Sequence, residues 1–131
     1  MIEATARAAA YVAGRLATGE DAVAIVDQLS GVRSDFIGDV RPDRVFITDV
    51  ETSCLVTGRS TGGGPLWLFH QDTMRYLTLI TESAHVFTGL DYSTGHAFDA
   101  LTSTDGSVEL LDYETGRWRR YRLQLSTVLI R

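Results

Sequence analysis

Cysteine is nearly absent from this chain. Cys54 is the single one in 131 residues, which excludes an internal disulfide framework and fits a reducing compartment. Long apolar runs are missing too: no stretch approaches the roughly 18 residues that a membrane-spanning helix needs. Glu3 and Arg7 interrupt the N-terminal alanines, so that segment does not read as a signal peptide. Positive charge is in deficit, with 12 Lys and Arg against 17 Asp and Glu and a net charge of −5, which argues against a surface that coats nucleic acid or membrane as a whole. His70, His85 and His96 are scattered and lack the spacing of a zinc site. Neither a Gly-x-Ser-x-Gly nor a His-Glu-x-x-His motif nor a dinucleotide fingerprint occurs. These absences lead to the expectation of a cytoplasmic protein with no metal, no cofactor, and no nucleic-acid or membrane partner, leaning away from catalysis.

What is present suits a single domain over 1–131, long enough to bury one core. Ile2, Ala6, Ala9, Ala13 and Leu16 step along one helical face, so residues 3–17 read as a helix whose small side chains allow close approach. Thr18 offers a cap for a second short helix carrying Ala22, Val23, Val26 and Leu29, ended by Ser30-Gly31. From Pro42 onward the pattern is strand and turn, with candidate strands at 43–49, 53–59, 65–70, 74–82, 84–90, 96–103, 107–113 and 117–125, the last extendable to 130 through Val128, Leu129 and Ile130. Helices first (3–30) and strands after (43–130) predict an α+β fold: an N-terminal helix or helix pair, then a largely antiparallel meander of seven or eight strands. An open sheet and a barrel both satisfy this pattern.

The most specific signal is an echo. Leu-Asp-Tyr-Ser-Thr-Gly at 90–95 returns as Leu-Asp-Tyr-Glu-Thr-Gly at 111–116, and Asp105-Gly106 falls between them. Each is a hairpin signal. Taking Glu114–Arg117 as a four-residue loop sets Asp112 opposite Arg119 and Leu110 opposite Tyr121. Taking Asp105-Gly106 as a two-residue turn sets Leu101 opposite Leu110, Asp99 opposite Asp112 and Phe98 opposite Tyr113. The stretch Leu-Asp-Tyr-Glu-Thr-Gly-Arg-Trp resembles the turn of a quinoprotein-type β-propeller blade. A period of 21 residues is too short for a four-stranded blade, so the resemblance implies nothing further.

This register brings two candidate sites together. Asp99, Asp112 and Arg119, with His96 near the same hairpin end, form a polar row. Paired carboxylates on adjacent strands raise one another's proton affinity, which suits acid–base work or the grip of a small anionic molecule. Phe98, Tyr113 and Trp118 form an aromatic row beside Arg120 and Arg122, the residue types that anchor protein interfaces. The run Gly58–Gly64 reads as a mobile hairpin loop without the ending of a phosphate-binding loop. The expected function is therefore a small binding or interaction domain that associates with itself or with a protein partner. The alternative is a small-ligand pocket or enzyme at the end of the meander.

Overall fold

The computed structural model describes residues 1–126, so the expected extension of the last strand to 130 lies outside the described residues. Helix α1 (Glu3–Thr18) is followed by β1 (Ala22–Asp27), β2 (Arg33–Arg41), β3 (Arg44–Asp49), β4 (Cys54–Arg59), β5 (Leu66–His70), β6 (Arg75–Ser83), β7 (Val86–Asp91), β8 (His96–Thr102), β9 (Ser107–Asp112) and β10 (Arg117–Leu125). Each strand pairs antiparallel with the next, and β1 pairs with β10, so the meander closes into a ten-stranded barrel. Closure leaves no sheet edge to protect.

The helix does not lie on one face of the sheet. It fills the barrel. Residues Ala8–Arg15 are buried without a break, and Ala6, Ala9, Ala10 and Ala13 are 0% exposed. A helix apolar on all sides belongs in a core, and alanine is the side chain that lets ten strands surround one. At about 1.5 Å per residue its 16 residues span roughly 24 Å. Gly14 packs against the wall, where a β-carbon would stand 2.9 Å from Leu123 Cδ1. Tyr11 stacks on Phe36 at 4.5 Å and donates its hydroxyl to the Ala22 carbonyl at 2.6 Å. Gly19 stops the helix in the left-handed region, its N–H bonded to Arg15 O.

The expected second helix is instead β1 and its turn. Ala22 and Ala24 face inward and pair across to β10 and β2, and Leu29, assigned to an apolar helix face, is fully outside. An alternating Ala/Val run satisfies both periods over so few residues, and the open seam between β10 and β2 decides for strand. With β2, which the sequence did not announce, the strand count rises to ten and the helical segment shrinks to α1.

The echo turns out to run through the whole barrel. Asp27, Asp49, His70, Asp91 and Asp112 each end an odd-numbered strand, spaced by 22, 21, 21 and 21 residues. Three residues on stands Ser30, Thr52, Thr73, Thr94 or Thr115. The next residue adopts a positive φ in all five turns: Gly31 (75°), Ser53 (56°), Met74 (54°), Gly95 (74°) and Gly116 (69°). Where glycine occupies it, its N–H bonds the carbonyl that opens the turn, at 2.7 Å for Asp27 and Asp112 and 2.8 Å for Asp91. Asp27, Asp91 and Asp112 each accept the N–H two residues on, at 2.9–3.0 Å. All five tight hairpins therefore sit at one end of the barrel.

This geometry corrects the register. The positive-φ residue must be the last of the loop, so Gly116 places the loop at 113–116, with Asp112 opposite Arg117 and Leu110 opposite Arg119. That two-residue shift leaves every side chain on its expected face. The Asp105-Gly106 turn has the larger consequence. It is a three-residue loop, Thr104–Gly106, with Ser103 N–H bonded to Ser107 O and Gly106 at φ 88°, a type I turn closed by a left-handed glycine. One extra residue moves the pairing by one, so Leu101 lies opposite Glu109 and Leu110 opposite Ala100. Inside and outside are exchanged between β8 and β9 relative to expectation.

Candidate functional site

The slip at β8–β9 separates the expected polar row. Asp112 faces the interior and is buried, whereas Asp99 is on the outer wall, where it accepts the Tyr113 hydroxyl at 2.5 Å. That bond pushes the Tyr113 proton affinity up. Arg119 remains near Asp112, at 4.0 Å, but its shorter contacts are to Glu3 (2.7 Å) and to the Met1 carbonyl (2.7 Å). His96 is exposed, its Nδ1 3.0 Å from Thr94 O. The aromatic row is divided in the same way: Phe98 is buried in the core, while Tyr113 and Trp118 are exposed on the outside. Arg120 pairs with Glu109 at 2.9 Å and Arg122 with Asp105 at 3.4 Å. Asp105 is held well below the usual carboxylate range by the Ser103 hydroxyl and by the Ser107 N–H and hydroxyl.

The repeat creates a polar ring that the last two turns alone did not reveal. Four of the five opening residues, Asp49, His70, Asp91 and Asp112, are buried at the hairpin end of the barrel, while Asp27 is half-buried. Each has its own partner. Arg7, projecting from the first turns of α1, grips Asp49 Oδ2 through Nε and Nη2 at 2.8 Å each. The Met1 amine donates to Asp112 at 3.1 Å and to Glu114 at 2.6 Å. Asp91 accepts Ser93 Oγ at 2.8 Å. His70 lies 3.6–3.8 Å from the Cys54 sulfur. Burial raises the thiol pKa and lowers that of the imidazole, so both are held neutral. This is the reverse of the thiolate–imidazolium pair that a cysteine nucleophile needs. The ring thus docks the helix N-terminus into the barrel. Among the described residues no group of three or more His, Cys, Asp or Glu side chains is placed to hold a metal ion, and no helix is long and apolar enough to cross a membrane.

The outer wall carries the exposed chemistry, in two places. One is a depression of about 720 Å³ where Trp118 and Leu29 stand beside Arg117, Arg120, Asp27 and Glu3. Leu29 is 90% exposed and Trp118 47%. The other lies on β2–β6. It combines Phe46, Trp67, Phe69 and Tyr76 with Arg44 and Arg59 around a trough of about 560 Å³. This second face is not evident in the sequence, although its members are the outward halves of alternating strands: Arg44 and Phe46, Thr57 and Arg59, Trp67 and Phe69. That alternation becomes a surface only once the hairpin registers are known. The Gly58–Gly64 run is split. Gly58 lies within β4 and faces inward, and the loop proper folds back through a Ser60 Oγ bond to Gly64 O at 2.7 Å.

No protein-family model, curated protein or solved structure matches this chain. Any reading of its function therefore rests on the two outer faces and the filled interior.

Proposed function

We propose that this protein is a non-catalytic binding domain that works through its outer wall and associates with a second copy of itself. The observation that carries the reading is the Leu29–Trp118 patch. Two large apolar side chains stand exposed together on a barrel whose interior already buries a helix. Solvated apolar clusters of this kind mark interaction surfaces. Arg117, Arg120, Asp27 and Glu3 line the same depression as the pair. A patch carrying both signs around an apolar centre can complement its own copy across a two-fold axis. A cytoplasmic location, which the single cysteine favours, belongs to the same proposal.

One arrangement supports this reading over the acid–base alternative. Its two carboxylates lie on opposite sides of the barrel wall, and the buried one is held by an amine and by its own turn. Sedimentation equilibrium tests the proposal. The wild-type chain is expected to dimerise at micromolar concentration, and Leu29→Asp and Trp118→Ser are expected to remain monomeric with unchanged circular dichroism. A wild-type monomer at high micromolar concentration would remove self-association from the reading.

A further inference from the structure

Arg41, Arg44 and Arg59 stand side by side on β2, β3 and β4. Arg41 is directly opposite Arg44, and Arg44 directly opposite Arg59. All three are exposed on the outer wall. Like charges directly opposite destabilise a sheet, and this row sets two such pairs in succession. Arg7, Arg15, Arg33, Arg119, Arg120 and Arg122 each lie within 4.0 Å of a carboxylate; among the described residues Arg41, Arg44 and Arg59 do not, nor do Arg75 and Arg117, which have no arginine directly opposite them. Carboxylates are in excess in this chain, so the missing partners do not reflect scarcity. Asp39 and Asp43 border the row. Three guanidiniums against two carboxylates leave a modest local surplus of positive charge.

An aromatic row runs parallel to the arginines. Phe46 lies opposite Thr57, Thr57 opposite Phe69, and Phe69 opposite Tyr76, while Tyr92 follows through its N–H bond to Tyr76 O. The rows overlap on β3, where Arg44 and Phe46 are two residues apart, about 6.8 Å, and on β4, where Arg59 is two residues from Thr57; the arginines extend from there to β2 and the aromatics to β5, β6 and the end of β7. Trp67, directly opposite Arg59, joins them. It stacks on Tyr92 at 5.7 Å and meets Tyr76 edge-on at 6.0 Å, and Tyr76 meets Phe69 at 5.0 Å. These rings brace one another, yet Phe46 is 52% exposed and Tyr76 49%. Thr57, the one small residue of the row, floors the trough between Phe46 and Phe69.

We infer that this face binds single-stranded nucleic acid, with phosphates along Arg41, Arg44 and Arg59 and bases on the aromatic row beside them. A cationic track next to a stacking platform is the arrangement that holds single strands without reading their sequence. The separation of the rows is the reach from a phosphate across its sugar to its own base. The site is a shallow strip across several strands rather than a concavity that encloses a small molecule, which favours an extended polymer. An acidic peptide would engage the arginines and leave the ring faces unused. From β2 to the end of β7 the strip measures about 24 Å at ~4.8 Å per strand, room for about four nucleotides, the low end of such sites. The net charge of −5 opposes a polyanion at long range, so binding is weak, dependent on low salt and confined to this strip.

Fluorescence anisotropy of labelled oligo-dT and oligo-U twelve-mers at about 50 mM salt tests this, with dissociation constants on the order of 10 μM expected. Quenching of Trp67 in a Trp118→Phe background reports the stacking directly. Arg44→Glu combined with Arg59→Glu is expected to weaken binding at least tenfold and to flatten the salt slope by roughly 1.4. The neutral double variant Arg44→Gln with Arg59→Gln removes both like-charge oppositions and should weaken binding without lowering the thermal midpoint. Phe46→Ser with Tyr76→Ser should weaken binding about fivefold or more and leave the salt slope unchanged. Failure of both oligomers to bind at high micromolar protein would overturn the inference. So would binding that survives the charge reversal, equal affinity for a duplex of the same length, or displacement by poly-glutamate as readily as by unlabelled oligomer. The face shares no residue with the Leu29–Trp118 patch, so a monomeric protein that binds single strands and a dimer that does not are separable results.

Discussion

The two ends of the barrel are built on different plans. At one end, five hairpins repeat a single recipe: an opening polar residue, buried in four of the five, a Ser or Thr three places later, then a left-handed residue. Charge is buried there and neutralised from within, by Arg7 and the Met1 amine. At the other end no two connections match: the helix exit at 19–21, the tight 42–43 turn, the Gly-rich 60–65 loop, the 84–85 turn and the three-residue loop at Thr104–Gly106. The mouth at that end is lined by Leu16, Pro65, Leu66 and Phe87. The uniform end sets the register and anchors the helix. The irregular end tolerates variation, as connecting segments usually do.

That contrast is broken most severely by Asp49→Ala. It leaves the half-buried Arg7 guanidinium without its carboxylate, and losing the buried member of such a pair costs about 3 kcal/mol; urea denaturation is expected to show the loss, whereas Asp43→Ala in the opposite turn should change stability by less than about 0.5 kcal/mol. A smaller effect is expected from Gly14→Val. Side-chain atoms of Leu123 and Val108 lie 2.9–3.0 Å from the position of its first added carbon, and overpacking of this kind costs about 1–3 kcal/mol. Its thermal midpoint should drop while far-ultraviolet circular dichroism keeps the barrel signature; an unchanged midpoint would show that the helix has slack in the barrel.

The repeat makes opposite predictions at equivalent positions. Gly116→Ala forces a β-carbon into the left-handed region and should cost about 1 kcal/mol, while Met74→Gly should be neutral or stabilising by a few tenths. If both substitutions destabilise equally, the five turns are not equivalent. The smallest effect is a pH drift. Burial lowers the His70 pKa below 6.5, so the unfolded chain takes up a proton before the folded chain does. The stability that depends on neutral His70 is complete above about pH 6.5 and is lost as pH falls from there through the lowered folded value. Denaturation midpoints measured down that window should decline, and His70→Gln should flatten the decline.

Much of the wall was legible in the sequence. All eight strands after Pro42 were placed within one or two residues of their observed bounds, because Gly, Asp and Thr mark the turns and the apolar residues alternate between them. The N-terminal third was half legible. Residues 3–17 are helical as expected, but the Ala-Val-Ala-Ile-Val run at 22–26 carried no period long enough to exclude a second helix. The candidate sites depended on one turn. Asp-Gly allows a two-residue loop or the close of a three-residue one, and only the backbone path at Ser103 and Ser107 distinguishes them. That single residue sent Asp99 and Phe98 to the opposite sides from Asp112 and Trp118. The fivefold recurrence was visible in principle through Ser30, Thr52, Thr73, Thr94 and Thr115. It was concealed by His70 in place of Asp, and by Ser53 and Met74 where the other turns have Gly.

A helix enclosed on every side has a consequence for the order of assembly. The wall around α1 is complete only when β1, at 22–27, meets β10, at 117–125. That pairing joins segments separated by most of the described chain, so the seam is the costliest loop to close. Until it forms, an alanine-rich segment of marginal intrinsic helicity has a trough to lie in rather than a sleeve. The encasing of the helix and the zipping of the seam are thus one cooperative event. The hairpins between them can form locally and early, but no subset of them reproduces the environment that the finished barrel gives to Ala9, Ala10 and Ala13.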